Sequence, residues 1–386
     1  MGRWGRLAWL LLAAAALLVL YAPSSTPATT HSVRQRVRRL RDVRGFLEQR
    51  QSMTLAEMAR ASPAAQDWAE VEVEAPNVTD RHTLLTLAHM ATQAYYAIPA
   101  PIPNAPEWSW SMGFGWDEEG LRGQIFTTAE NRTVVVALKG TSASFLPGGA
   151  TGQRDKENDN LLFSCCCARV DKDWSPVCGC YRESNQCDVS CVSRALLEKS
   201  LYYPAATDMY NNISYLFPNS QVWITGHSLG GVIASFLGMT FGVPAVAFES
   251  PGDRLAAARL HLPLPPADWP DKDAWAMAPV THVYNTADSL ATGQCQGPTS
   301  ICSRTGYAME SKCHAGQSIV YDTARYLGWS VGVLPHRITQ VMDELLSEDW
   351  DARVRRAGRT PAAGLGAVPA PARETLCQDC SNWQFI

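Results

Sequence analysis

Between Trp223 and Gly231 the chain reads Trp-Ile-Thr-Gly-His-Ser-Leu-Gly-Gly, a run that leaves the backbone little choice. β-Favouring residues lead into a Gly-x-Ser-x-Gly, and Val232, Ile233, Ala234, Phe236 and Leu237 lead out at helical spacing. That context predicts a strand, a tight turn that lifts Ser228, and a helix behind it. Gly226 and Gly230 suit the turn because strand and helix backbones approach closely there, where a Cβ would clash. The start of the helix aims amide dipoles at the space beside the serine, where an oxyanion could be held. Ser228 is therefore the candidate nucleophile, and the amide of Leu229 a candidate oxyanion donor.

A chain of 386 residues, 46% hydrophobic and 18% charged, can bury a sizeable core, either as one large α/β domain with insertions or as two smaller domains. A net charge of −4 argues against nucleic acid as the main partner. The twelve cysteines are even in number and too many for a typical cytosolic enzyme, which points to an oxidising compartment. Residues 1–6 carry Arg3 and Arg6, and residues 7–22 are uncharged and apolar. That run is short for a spanning helix and long for a signal-peptide core, and Pro23 would hinder cleavage just after it. It reads as an uncleaved signal-anchor in preference to a cleaved signal peptide. Arg34, Arg36, Arg38, Arg39, Arg41 and Arg44 follow and would favour the cytosolic side. The cysteines and the sequons at Asn77, Asn131 and Asn212 favour the lumen, and the cysteine count is the heavier evidence. The arginine-rich stretch either attracts anionic lipid head groups or is a solvated helix face.

Residues 81–96 show helical spacing of apolar residues. Gln124–Thr127 and Thr133–Leu138 read as strands, the second buried on both faces. The second strand ends in Lys139-Gly140-Thr141-Ser142, where the amide of Thr141 could complete a two-donor oxyanion hole, unless this is an ordinary strand-to-loop turn. Residues 147–195 break the pattern with Cys165, Cys166, Cys167, Cys178, Cys180, Cys187 and Cys191. Zinc competes with disulfides as the reading, but no C-x2-C pair repeats and a triple Cys suits one tetrahedral site poorly. Seven cysteines lie here, three at Cys295, Cys302 and Cys313, and two at Cys377 and Cys380. If all are paired, at least one bridge must leave the first group, tying the insertion to the core or the tail. Further strands are expected over 243–248 and 280–284, a helix over 319–327, and a short strand over 329–334. Residues 351–376, rich in Ala, Pro, Gly and Arg, read as disordered.

A serine hydroxyl needs a base to take its proton, and the base needs a third group to hold its tautomer. Where a nucleophile elbow is followed by further strands, acid and base come later in the order Ser, Asp or Glu, His. Asp288 sits at the end of the second expected strand after the elbow. Asp253, after the first strand, is its rival, and Glu249 a weaker one. Of the histidines beyond Asp288, His314 adjoins Cys313 with no strand before it, whereas His336 lies on a loop between a strand-like and a helix-like stretch. His336 is the candidate base. The side chain of His227 should point away from Ser228, into packing and a local hydrogen bond.

Gly226-His227-Ser228-Leu229-Gly230-Gly231, the Lys139-Gly140-Thr141 loop and the Asn285-Thr286-Ala287-Asp288 loop resemble class 3 lipases. More specific are the Asn158–Cys167 run with its Cys triplet, Trp116–Gly123, Gly306–Glu310 with Cys313-His314, Val320–Thr323, and the tail Cys377-x-x-Cys380-x-Asn382-Trp383. These resemble the autophagy-related vacuolar lipases within that class. The resemblance implies an α/β-hydrolase fold with a Cys-rich insertion and an N-terminal membrane anchor. It implies a short cytosolic end (1–6), an anchor (7–22), a luminal stem (23–75), a lipase domain (76–350), a linker (351–376) and a Cys-containing tail (377–386). It carries the triad onto Ser228, Asp288 and His336. The implied enzyme is a serine carboxylic ester hydrolase, and the residues themselves imply no cofactor or metal. Its substrates would be phospholipids and neutral glycerolipids, in the membranes of autophagic bodies and intravacuolar vesicles. It would reach endosome, multivesicular body and vacuole through ER and Golgi as a single-pass type II protein. The alternatives are a secreted esterase of the feruloyl-esterase kind and a non-catalytic membrane-binding homologue.

Overall fold

The computed structural model describes residues 30–116, 120–142, 151–169, 176–199, 202–266 and 273–386. The chain opens with a hairpin, strand β1 (Ser32–Leu40) antiparallel to β2 (Trp68–Pro76), joined through helices α1 (Val43–Gln51) and α2 (Leu55–Arg60). The stretch from residue 32 to 75 is thus a folded element and not an open stem. Nor is the arginine-rich stretch a single helix face: Arg34, Arg36 and Arg38 alternate along β1, the period of a strand, with Arg39 next to them, Arg41 just beyond the strand and Arg44 in α1. Arg34 pairs with Glu72 at 3.1 Å and Arg36 with Glu70 at 3.4 Å across the hairpin, both in solvent. That ladder partly neutralises the positive face that an anionic lipid surface would need.

Helix α3 (Arg81–Gln93) starts at Asp80, whose carboxylate caps the amide of Thr83. Then come β3 (Trp108–Phe114), β4 (Gly123–Thr128) and β5 (Thr133–Leu138), followed by α4 (Gly152–Phe163). The Cys-rich region holds the short pair β6 (Tyr181–Arg182) and β7 (Gln186–Cys187), with α5 (Val189–Lys199) and α6 (Tyr202–Leu216) after it. Next are β8 (Gln221–His227), α7 (Leu229–Phe241), β9 (Ala245–Phe248), α8 (Arg254–Arg259), β10 (Val280–Asn285), α9 (Ile301–Arg304), β11 (Gln317–Tyr321), α10 (Thr323–Leu327), α11 (Ile338–Glu344), α12 (Trp350–Arg356) and β12 (Gln384–Phe385).

The main sheet runs β11-β10-β9-β8-β5-β4-β3. Strands β5 and β8–β11 are parallel, and β3–β5 antiparallel. Each strand feeds two cores because successive side chains point to opposite faces. Val134, Val136 and Leu138 of β5 join α7 and the Cys-rich layer on one side. Val135 and Ala137 join α3, α11 and α12 on the other. Every residue of α7 is buried, as a helix covered all round requires. This is the α/β-hydrolase arrangement, with its catalytic loops expected at the carboxyl ends of the parallel strands.

Six disulfides pair all twelve cysteines. Cys166–Cys187, Cys167–Cys178 and Cys180–Cys191 knit the insertion, while Cys165–Cys380 leaves it for the tail. Cys313–Cys377 ties the tail to the core, and Cys295–Cys302 closes a local loop. Cys167, Cys178 and Cys180 do have sulfurs within 4.8 Å of one another, but each is committed to a bridge. The Cys165–Cys380 bridge spans 215 residues; taken alone, its chain-entropy contribution is about 5 kcal/mol.

Three sequence expectations need correction. Residues 319–327 are not one helix: β11 runs to Tyr321, and Asp322 caps a short helix after it. Residues 329–334 form no strand of the sheet, and Gly332 makes only a single bridge to Asp288. Residues 351–376 pack against the domain, since Trp350 and Val354 are fully buried and Ala372 exchanges backbone hydrogen bonds with Ser318 at 2.7 and 2.9 Å. The apolar run 7–22 lies outside the described residues. Among the described residues, no helix is long and apolar enough to cross a membrane.

Candidate active site

Ser228 follows the last residue of β8 with φ 57° and ψ −128°, and α7 begins at the next residue. The left-handed φ stores strain that the close packing around it maintains. A Cβ on Gly226 would stand 2.3 Å from the carbonyl oxygen of Gly230, and one on Gly230 would stand 2.4 Å from that of Leu138. The two glycines therefore let α7 start directly on the sheet. Ser228 Oγ lies 2.8 Å from His336 Nε2, and His336 Nδ1 lies 2.7 Å from Asp288 Oδ2. The amide of Leu290 donates to the other oxygen of Asp288 at 2.8 Å. Asp288 is fully buried, while the side chain of His336 is 14% exposed and Ser228 6% exposed. Burial opposes the charge of Asp288, but His336 outweighs it and holds this carboxyl below its usual range. Nδ1–H of His336 thus faces a carboxylate, and Nε2 is free to accept the hydroxyl proton of Ser228.

The Lys139–Ser142 loop lies against the serine, since a Cβ on Gly140 would sit 3.1 Å from Ser228 Cβ and 2.3 Å from Tyr95 Oη. Thr141 Oγ1 donates to Asp159 at 2.8 Å. Four residues earlier on α4, Asp155 accepts from Lys139 Nζ at 3.1 Å, from the Ser142 amide at 2.8 Å and from Tyr202. One face of α4 therefore holds the loop at several points. Burial drives the Asp159 carboxyl up to about 8. Leu229 is the first residue of α7, where amides have no partner within the helix. Of the two amides expected to face an oxyanion, that of Thr141 thus comes from a loop packed on Ser228 and that of Leu229 from the helix start that follows it.

His227 does more than pack. Its Nε2–H donates to the backbone oxygen of His336 at 2.7 Å, and its Nδ1 accepts from Tyr95 Oη at 2.7 Å. Burial, reinforced by His336, lowers its pKa to about 3, so the ring stays neutral and keeps this donor-and-acceptor pattern. In place of the expected local hydrogen bond, the ring bonds two distant partners, the backbone of His336, 109 residues away, and Tyr95, 132 residues away.

Asp253 and His314 belong to a different cluster. Ser250 Oγ lies 2.7 Å from His282 Nδ1, and His282 Nε2 lies 3.3 Å from Asp253 Oδ2. His314 bonds the Ser250 oxygen at 3.0 Å and Glu374 at 2.7 Å. Ser250, Asp253 and His282 are wholly buried, and His314 is 1% exposed. The cluster escaped sequence reading because its members are scattered from residue 250 to residue 374. Of the sequons, Asn131 and Asn212 are exposed and Asn77 is half-buried.

The class 3 lipase model matches residues 165–244, the stretch that includes the elbow. "Putative lipase ATG15" of Mycosarcoma maydis is 50% identical over 391 residues, covering 92% of this chain and 75% of its own. Its namesake in Cryptococcus neoformans var. neoformans is 44% identical over 368 residues, covering 83% and 70%. The chain belongs to the ATG15 family of class 3 lipases. It is accordingly a lipase, an ester hydrolase of the serine type. Lip2 lipase from Yarrowia lipolytica, a solved structure, aligns with 64% of this chain and 80% of its own at 14% identity and a TM-score of 0.34, too slight a superposition to carry weight.

Proposed function

We propose that this lipase cleaves acyl esters of glycerolipids, phospholipids included, within membranes delivered to an oxidising, acidic lumen. The observation that carries the reading is the hydrogen-bonded line Ser228–His336–Asp288 at the carboxyl end of the sheet. In this reading Ser228 Oγ attacks the acyl carbonyl carbon while His336 Nε2 takes its proton. The amides of Thr141 and Leu229 receive the oxyanion, and each such donor typically contributes about 3–4 kcal/mol to lowering the barrier. The intermediate collapses, His336 returns the proton to the departing glyceryl oxygen, and an acyl-serine remains. Water, deprotonated by His336, then attacks the ester and releases the fatty acid.

Exposed apolar side chains beside this site favour a lipid surface over a soluble ester. Tyr96 and Ile98, 56% and 84% exposed, follow Tyr95, whose hydroxyl reaches His227. Leu334, 62% exposed, lies on the loop that carries His336. Six disulfides suit a lumen on the secretory route. Glycans at Asn77, Asn131 and Asn212, an anchor over 7–22, and a type II course to endosome and vacuole complete the proposal. In it, residues 76–350 form the catalytic domain, with the hairpin and tail packed on it. The name of the relatives adds the breakdown of autophagic membranes as the proposed setting.

Fatty-acid release from phospholipid vesicles, wild type beside Ser228→Ala at acidic and neutral pH, tests the proposal. Serine-dependent release that is greater at acidic pH is expected. Serine-dependent cleavage of soluble esters, with vesicles left intact, would overturn the membrane reading.

A further inference from the structure

Glu249, the residue after β9, holds φ +44° in the left-handed region that side chains seldom adopt, and it is fully buried. Glycine would take that backbone without strain, and a carboxyl in a dry interior is costly. Both features point to a task for the side chain. Its Oε1 accepts from Asn285 Nδ2 at 2.9 Å, its Oε2 from the Asn285 amide at 3.3 Å, and it hydrogen-bonds Asp288. Asn285 Nδ2 also donates to the Pro335 oxygen at 3.0 Å, and Asn285 Oδ1 accepts from Ala287 and Thr323, each at 3.0 Å. Glu249 and Asn285 thus join the end of β9, the Asp288 loop and the residue that precedes His336.

Two buried carboxyls in hydrogen-bond contact cannot both be ionised; one proton must stay between them. Asp288 faces His336 and receives the Leu290 amide, so it keeps the charge and Glu249 keeps the proton. Burial first, and then the charge of Asp288, hold Glu249 well above the carboxylate range. The titratable groups around it are Asp288 and Tyr284 from β10 and its loop, with His336 and His227 beyond Asp288.

We propose that Glu249 is a positioning residue of the relay, a neutral acid whose O–H bonds Asp288 and so weakens the hold of Asp288 on the imidazolium form of His336. A carboxylate that already accepts a charge-assisted hydrogen bond attracts a neighbouring cation less. His336 then remains an available base further into the acid range, where the proposed compartment needs it. No proton leaves Glu249 during the reaction. This inference rests on Ser228, His336 and Asp288 acting as the triad.

The test is the pH profile of kcat/KM on a soluble ester for wild type, Glu249→Gln, Glu249→Leu and Ser228→Ala. The amide of Glu249→Gln can still donate to Asp288, so its acid limb should stay with that of wild type. The acid limb of Glu249→Leu should move up by about one pH unit. If both variants move the limb down, Glu249 is an anion and the proposal fails. If the Gln and Leu variants both superpose on wild type, its role is only structural and the proposal also fails. Activity surviving in Ser228→Ala overturns the triad itself, a separate outcome. Should Glu249→Leu not fold, infrared difference spectroscopy of wild type against Glu249→Gln at neutral pH decides. A protonated-carboxyl band present only in wild type is expected, and its absence overturns the proposal.

Discussion

Among the described residues, two clusters combine serine, histidine and aspartate, and they differ in what they are arranged to do. Ser228, His336 and Asp288 line up with spacings of 2.8 and 2.7 Å. Ser250, His282 and Asp253 show 2.7 and 3.3 Å. The differences lie in orientation and surroundings. In the first cluster the carboxylate faces Nδ1 and the serine Nε2, whereas the second reverses the ring. Ser228 sits at a helix start and keeps 6% of its surface exposed; Ser250 is sealed, with no solvent contact at all. The composition of a triad therefore does not make a site. What sets the first one apart is residual access, a helix start with free amides and the strained backbone of Ser228. The second cluster serves cohesion by tying α7 and α8 to the His314 loop and, through Glu374, to the tail.

The largest test of this contrast is Ser228→Ala, which should cost about 10⁴- to 10⁶-fold in kcat, measured on a soluble ester. Next comes His227→Phe. Losing the donor to the His336 backbone should misplace the imidazole and lower kcat by about 10²-fold with KM little changed. Ser250→Ala should leave kcat within about twofold while lowering unfolding free energy by about 1–3 kcal/mol, because His282 loses a buried partner. A kcat collapse there would erase the distinction between the clusters. The Asp159→Asn variant sharpens it through pH. With a folded-state pKa of about 8, Asp159 binds a proton that the unfolded chain loses near pH 4, so its stabilising effect is full at low pH and fades as pH rises from about 4 to 8. The melting temperature of Asp159→Asn should therefore fall less between pH 5 and 8 than that of wild type. The smallest effect is Arg36→Ala in the exposed hairpin, within about 1 kcal/mol.

What could be read from the sequence was whatever a short window enforces. Gly226, Ser228 and Gly230 fix strand, turn and helix in five residues, and chain order then singles out Asp288 and His336. Cysteine parity required a bridge out of the insertion, and Cys165–Cys380 is one. Other features were hidden because their cause is distant. The alternation of β1 was masked by charge, since its partner Glu70 and Glu72 lie more than thirty residues on. Apolar residues of β11 and α10 merged into one helical period across Asp322. Residues 351–376 have the composition of a linker, yet Trp350 against Tyr321 at 5.1 Å and the Ala372 bridge anchor them. Glu249 looked like a rival acid because nothing in the sequence places it behind Asp288. His227 looked like packing because its partner, the His336 backbone, is far along the chain.

In the proposed mechanism Ser228 is the serine that the folded protein activates. Labelling the full chain with a fluorophosphonate at mildly acidic pH, then locating the adduct by peptide mass spectrometry, measures this directly. The expected result is a single adduct on Ser228, lost in His336→Ala and retained in Ser250→Ala. An adduct on Ser250, or labelling that survives in Ser228→Ala, would contradict it.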